Sequence, residues 1–308
     1  MRRYWNTKGG LQSIDEWAPN CWVQVTCPDQ DDVMFLQDNL KIPDYFLSDI
    51  ADADERARYE YEDGWGLIIL RVPFMKDVPS RTPYTTVPLG IVINKDICIT
   101  ICYNDISMMN DFVQYQRRRG LGFTDSVDMI FRLFLSSSVW YLKLLKQIKT
   151  LIDRSKRDLD KNIDNKELVA LSRLQDSLTY FLTSIRGNET LLAKLKFRLP
   201  IDELDAELIE DVNIEINQAK EMTSIYANIL DSTLDTYASI INNNMSKVMK
   251  MLTSISIILM FPTLIASYFG MNLKNGMESF SWGFPIVILL SLIITGIFVW
   301  WFRKNKWI

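Results

Sequence analysis

Met251-Leu252-Thr253-Ser254-Ile255-Ser256-Ile257-Ile258-Leu259-Met260-Phe261-Pro262-Thr263-Leu264-Ile265-Ala266-Ser267-Tyr268-Phe269-Gly270-Met271-Asn272 carries no charged side chain. About 20 apolar residues cross a bilayer as a helix, so this stretch predicts one crossing. After a break at residues 273–283, the uncharged run 284–302 predicts a second. Lys247 and Lys250 stand before the first span, and Arg303, Lys304 and Lys306 follow the second. The connecting loop holds only Lys274, offset by Glu278. An excess of Lys and Arg marks cytoplasmic flanks, which places both ends of the chain in the cytoplasm and the loop outside. The opening residues are charged and polar, so no signal peptide is expected there. Trp300, Trp301 and Trp307 occupy the place of an interfacial aromatic belt.

Steps of three and four back from Gly270 meet Ser267, Thr263, Met260, Ser256, Thr253, Met249 and Ser246. The other faces of the span are mainly Ile, Leu and Phe. A stripe of small and hydroxylated residues in a membrane helix faces a partner helix or water. Continuing the same steps below the membrane gives Asn242, Ser239, Asp235, Ser232 and Asn228. A stripe polar for this long makes a poor dry seam and a good wet lining if several copies surround an axis. Pro262 removes one backbone hydrogen bond and predicts a local bend, tolerable where neighbours or water satisfy the Ile258 carbonyl.

The 308 residues suffice for one sizeable soluble domain and a membrane hairpin. A formal charge of −4 gives no reason to expect nucleic-acid binding. The chain has no histidine, which removes the commonest zinc ligand and general base. Of the four cysteines, Cys21, Cys27, Cys98 and Cys102, the last two share a strand face and invite a soft-metal reading beside ordinary packing. A cytoplasmic location argues against disulfides. No glycine-rich phosphate loop leads into Lys and Ser or Thr, no nucleophile motif is seen, and no organic cofactor is expected. A membrane-anchored enzyme is therefore disfavoured.

Residues 1–122 read as mixed α and β. Strands are expected at 22–26, 57–62, 66–72, 85–92 and 96–103, with a hairpin turn at Asp63-Gly64. Helical spacing covers 30–40 and 43–51, while 75–84 reads as a loop with Pro79 and Pro83. A helical hairpin over 123–200 follows, with helices at 126–161, 165–186 and 189–197, the second stopping at Gly187. From Ile201 to Phe261 there is neither Gly nor Pro. As one helix that run would reach about 90 Å at ~1.5 Å per residue, so the first span is the upper third of a stalk. The fold class is an α+β membrane protein. Its parts are a cytoplasmic α/β domain (1–122), the hairpin (123–200), a stalk and first span (201–272), an outer loop (273–283), a second span (284–302) and a basic cytoplasmic tail (303–308).

Tyr268-Phe269-Gly270-Met271-Asn272 closes the first span. Gly270 suits a helix end because it can take backbone conformations closed to other residues. Asn272 offers a neutral amide, and a ring of amides can hold a hydrated cation through its water shell. Mg²⁺ dehydrates reluctantly and keeps its waters. Gly270-Met271-Asn272 after this aromatic pair resembles the signature of the CorA-type magnesium transporters. The long stalk, the Lys247-Val248-Met249-Lys250-Met251-Leu252-Thr253 entry, the second span and the ending Arg303-Lys304-Asn305-Lys306-Trp307 resemble that family too, as does the N-terminal order of elements.

The resemblance implies a funnel-shaped homopentamer in the cell membrane, its pore lined by the first span. Gly270, Met271 and Asn272 would form the outer filter, with Asn272 meeting the hydrated ion. Asp235, Met260, Thr263 and Leu252 match family positions on the path, Leu252 as a hydrophobic constriction. With the stripe, the expected lining is Asp235, Ser246, Met249, Leu252, Thr253, Ser256, Met260, Thr263 and Ser267. The family also senses internal Mg²⁺ between subunits. Asp211 matches its stalk acid, and Asp77 is chosen as the partner. Three features depart from the family's commoner pattern: Ser246 in place of a larger amide, Pro262 shifted by one residue, and Gly276-Met277-Glu278 without a proline before the acid. The expected function is divalent cation transport, with Mg²⁺ as cargo and regulator. The same build carrying Zn²⁺, Co²⁺ or Ni²⁺ is one alternative, and a non-conducting scaffold or sensor is another.

Overall fold

The computed structural model describes residues 1–76, 82–95, 97–120, 122–161, 164–201, 206–271 and 282–307. By its internal contacts the chain divides into two units, Met1–Leu234 and Asp235–Ile308.

In the first unit a seven-stranded sheet has the order β2-β1-β3-β7-β6-β5-β4. The strands are β1 (Arg2–Asn6), β2 (Gln12–Ile14), β3 (Trp22–Thr26), β4 (Arg58–Glu62), β5 (Trp65–Met75), β6 (Tyr84–Asn94) and β7 (Ile97–Cys102). Among the described residues only β3 and β7 pair in parallel, with Val23 opposite Ile99. The central strands read as near-continuous apolar runs because both faces are covered. Helices α1 (Gln30–Met34), which tightens into a π turn over Phe35–Asn39, and α2 (Asp44–Ala51) cover one face. Leu36, Phe46 and Ile50 there join Val23, Val25, Leu67, Ile69, Val92 and Ile101 in one core. Gly90 of β6 admits α2, since a Cβ there would lie 2.3 Å from the Ile50 side chain.

The remaining helices of this unit are α3 (Ser107–Arg119), α4 (Ser126–Lys161), α5 (Asn165–Arg198) and the first part of α6 (Ala206–Phe269). Trp22 meets Phe112 of α3 edge-on at 6.0 Å. A buried polar cluster fastens α4 and α5 to β5. The last β4–β5 pair is Arg58 with Ile69, and beyond it a side chain replaces the strand. Asn188 of α5 accepts the Arg71 N–H at 3.0 Å and donates to the Arg71 carbonyl at 2.7 Å. That carbonyl also accepts from the Tyr141 hydroxyl of α4 at 3.1 Å. The Arg71 guanidinium donates to Ala53, Glu55 and Thr86 carbonyls, and its burial holds its pKa below the usual value.

Gly187 does not end a helix: α5 runs unbroken to Arg198. A Cβ there would lie 3.4 Å from the Ala57 side chain, an ordinary contact, so the glycine sits inside the helix without a steric need for it. α6 buries Leu208, Val212, Ile216, Ala219, Thr223 and Leu230, a stripe at helical spacing. Lys196–Asn213 at 2.7 Å and Lys220–Glu189 at 2.6 Å join it to α5.

The second unit holds the rest of α6 and α7 (Gly283–Lys304). Both helices are long and apolar enough to cross a membrane. α6 continues through Pro262.

Candidate functional site

Helical geometry turns the chain by about 100° per residue, which sorts α6 into faces. Ser254 is fully buried, and Phe261, seven residues on, stacks on Phe298 of α7 at 4.0 Å. Pro262 and Ile265 border the same α6–α7 cleft. From the Phe261 direction, Gly270, Leu252 and Thr263 lie about half a turn away, Ser256, Met249, Ser267 and Met260 about 100–140°, and Thr253, Asp235 and Ser246 about 60–80°. Asp235, Ser246, Met249, Leu252, Thr253, Ser256, Met260, Thr263, Ser267 and Gly270 are all exposed in the single chain. Apart from Gly270, which also borders the α6–α7 cleft, the stripe is left facing outward.

The hydroxyls on this face have a defined polarity. Thr253, Ser256 and Thr263 donate to the carbonyls of Met249, Leu252 and Leu259 at 2.8, 3.0 and 3.0 Å. With the proton committed to the helix, each oxygen turns its remaining lone pairs to whatever faces the stripe. Such acceptors suit the outward hydrogens of a cation's water shell. Asp235 is the only Asp or Glu among the described residues of this unit.

Gly270 differs from the expectation. Its backbone lies outside the left-handed region, and its N–H donates to the Ala266 carbonyl at 2.9 Å. What the position requires is space, since a Cβ would sit 3.0 Å from that carbonyl oxygen. Met271 is exposed. Asn272, the loop residues Lys274, Gly276, Met277 and Glu278, and Asp77 lie outside the described residues.

Asp211 is exposed on α6 in the first unit. It lines a cleft of about 740 Å³ with Asp111, Glu207, Arg119, Arg132 and Lys143. Lys143 bonds Asp111 at 3.2 Å, and Arg132 bonds Asp128 at 2.7 Å. The cations offset the acids in this cleft. No group of three or more His, Cys, Asp or Glu gathers among the described residues. A divalent ion at Asp211 thus needs ligands beyond those seen around it here.

The four cysteines are free thiols. Burial pushes Cys98 and Cys102 up to about 12, which disfavours the thiolate a soft metal needs. Sequence reasoning did not identify the α6–α7 seam; the seven-residue step from Ser254 to Phe261 was its signal.

A family model described as CorA-like Mg2+ transporter protein matches residues 17–304. The cobalt/magnesium transport protein CorA of Methanocaldococcus jannaschii is 27% identical over 304 residues, covering 93% of this chain and 91% of that protein. The protein of the same name from Thermotoga maritima is 24% identical, covering 93% and 83%. The complete structure of the Methanocaldococcus jannaschii CorA magnesium transporter superposes with a TM-score of 0.85 at 22% identity, over 100% of this chain and 99% of that one. That likeness is one of fold.

Proposed function

The chain belongs to the CorA-like Mg2+ transporter family, a family of divalent-cation transporters in membranes, and from that premise we propose that it conducts Mg²⁺ into the cell through an axis lined by α6. The observation that carries this reading is the polar stripe on α6, exposed in the single chain while Phe261 packs on α7. Copies arranged as a pentamer would turn their stripes inward and leave each α7 outside. A hydrated ion would meet the amides of Asn272 first. It would then pass the hydroxyls of Thr263, Ser256 and Thr253, whose lone pairs accept from its waters, and the constriction at Leu252. Asp235 would concentrate cations at the inner end.

The drive is the membrane potential, about 2.3 kcal/mol per charge per 100 mV, or about 4.6 kcal/mol for a divalent ion moving inward. The Lys and Arg excess beside both spans supports a cytoplasmic side for both chain termini. Internal Mg²⁺ bridging Asp211 of one subunit and Asp77 of the next would bias the assembly toward a closed state. Loss of that ion leaves facing carboxylates that repel. The Methanocaldococcus jannaschii relative is a cobalt/magnesium transport protein, which favours Co²⁺ as a second cargo.

Uptake of Mg²⁺ in starved cells, with Asn272→Ala beside wild type, tests the reading. Conduction through the filter predicts that the variant loses uptake while still reaching the membrane. Unchanged uptake would favour a non-conducting role for the stripe and loop.

A further inference from the structure

The cytoplasmic end of the hairpin carries five exposed cations, Lys247, Lys250, Arg303, Lys304 and Lys306. Beyond Asp235 the described residues of this unit hold no carboxylate side chain, and none of the five makes an ion pair among the described residues.

Their placement separates them from the stripe. Phe298 and Phe302 face α6, and Trp300, Arg303 and Lys304 fall roughly 100–200° from them around α7. They are therefore on the outer side of the hairpin. Arg303 and Lys304 thus point away from the proposed ion path. Lys247 and Lys250 lie about 40° and 20° from the Phe261 direction on α6, on the side that faces α7.

The chain end adds an aromatic base to this patch. Lys306 adopts φ 57°, its N–H donates to the Arg303 carbonyl, and the Trp307 N–H donates to the Phe302 carbonyl at 3.0 Å. This pair of bonds is a left-handed helix cap whose final residue packs back on the helix. Trp307 sits 5.6 Å from Phe302 and 6.4 Å from Trp301. Lys304 lies over the Trp300 ring at 5.1 Å. Amphipathic rings sit at headgroup level in a bilayer, so the cap holds the cations at the depth of phospholipid phosphates.

We propose that Arg303, Lys304 and Lys306, with Lys247 and Lys250, form a binding site for the phosphate headgroups of anionic phospholipids, seated on Trp300, Trp301 and Trp307. The lipid supplies negative charge beside cations that make no ion pair among the described residues. The site needs the hairpin to lie in a bilayer but does not depend on conduction.

The test uses the full-length protein in vesicles containing brominated phosphatidylglycerol or brominated phosphatidylcholine at equal mole fraction. Tryptophan quenching is read without an ion gradient. The site predicts stronger quenching by the anionic lipid, weakening as salt is raised. It also predicts that Arg303→Gln with Lys304→Gln lowers the preference by about fivefold per cation at low salt. Trp282, at the other end of α7, contributes to both arms alike. Lys247→Gln with Lys250→Gln supplies a second variant that leaves the α7 cap intact. Equal quenching of the wild type by the two lipids would overturn the proposal, whatever the variants do. So would a preference that both variants keep. Because no flux is measured, failure here is distinct from failure of the transport reading.

Discussion

Replacing Asn188 with Leu keeps the side chain's size and removes the two hydrogen bonds that stand in for a strand beside Arg71. Asn188 is 2% exposed, so water cannot take its place. The Arg71 N–H loses its partner, and an orphaned buried donor costs about 1–3 kcal/mol. The Arg71 carbonyl keeps the Tyr141 hydroxyl at 3.1 Å, so its loss is only the ordinary net value of about 1 kcal/mol. The expected destabilisation is about 2–4 kcal/mol, large against a domain stability of roughly 5–15 kcal/mol. Tyr141→Phe alone should cost about 1 kcal/mol, because Asn188 still serves that carbonyl. The double variant should lose more than the sum, since the carbonyl is then orphaned as well. Urea unfolding of the full-length protein in detergent, followed by the fluorescence of buried Trp22, measures all four corners. A cost below about 0.5 kcal/mol for Asn188→Leu, or strict additivity, would refute the claim that Asn188 completes the sheet.

Other consequences can be checked separately. Asp211→Ala should relieve inhibition of uptake by internal Mg²⁺ while leaving maximal uptake intact; unchanged inhibition would remove Asp211 from regulation. Gly122→Ala should destabilise the soluble unit or prevent its folding, because a Cβ there would fall 1.7 Å from the Thr7 carbonyl oxygen; thermal unfolding decides it. Burial raises Cys98 and Cys102 from 9.0 to about 12. Their neutral state therefore favours the fold fully below the unfolded value, and that contribution is lost as pH rises from about 9 to about 12. Denaturant midpoints of the native protein should fall across this window more steeply than those of Cys98→Ala with Cys102→Ala. At pH 8, alkylation of the folded protein should mark exposed Cys27 and spare the three buried thiols.

How legible each element was follows from where its signal lay. α4 was readable to its ends because one apolar face persists over Ser126–Lys161. The second span emerged as α7 with nearly the expected limits, since length and apolarity alone define it. The apolar central strands stood out as runs, whereas β1 and β2 did not: Arg2–Asn6 buries only Trp5 fully, and Gln12–Ile14 buries nothing fully. α3 was missed because its apolar face, Met108, Met109, Phe112 and Val113, is short and followed by three arginines. Gly187 misled because a glycine that ends a helix and one inside a continuous helix look alike in sequence. The stripe was visible as spacing, but spacing could not say which face α7 would cover. That required the positions of Ser254, Phe261 and Phe298.

The central claim is that the far face of α6 borders water and ions. In a cysteine-free background, single substitutions Met260→Cys, Thr263→Cys and Ser267→Cys on that face, and Phe261→Cys and Ile265→Cys toward α7, can be exposed to a membrane-impermeant thiol reagent with and without Mg²⁺. The account predicts reaction at the first three, slowed by Mg²⁺, and none at the other two. Silence at all three stripe positions, or labelling that favours the α7 side, would contradict it.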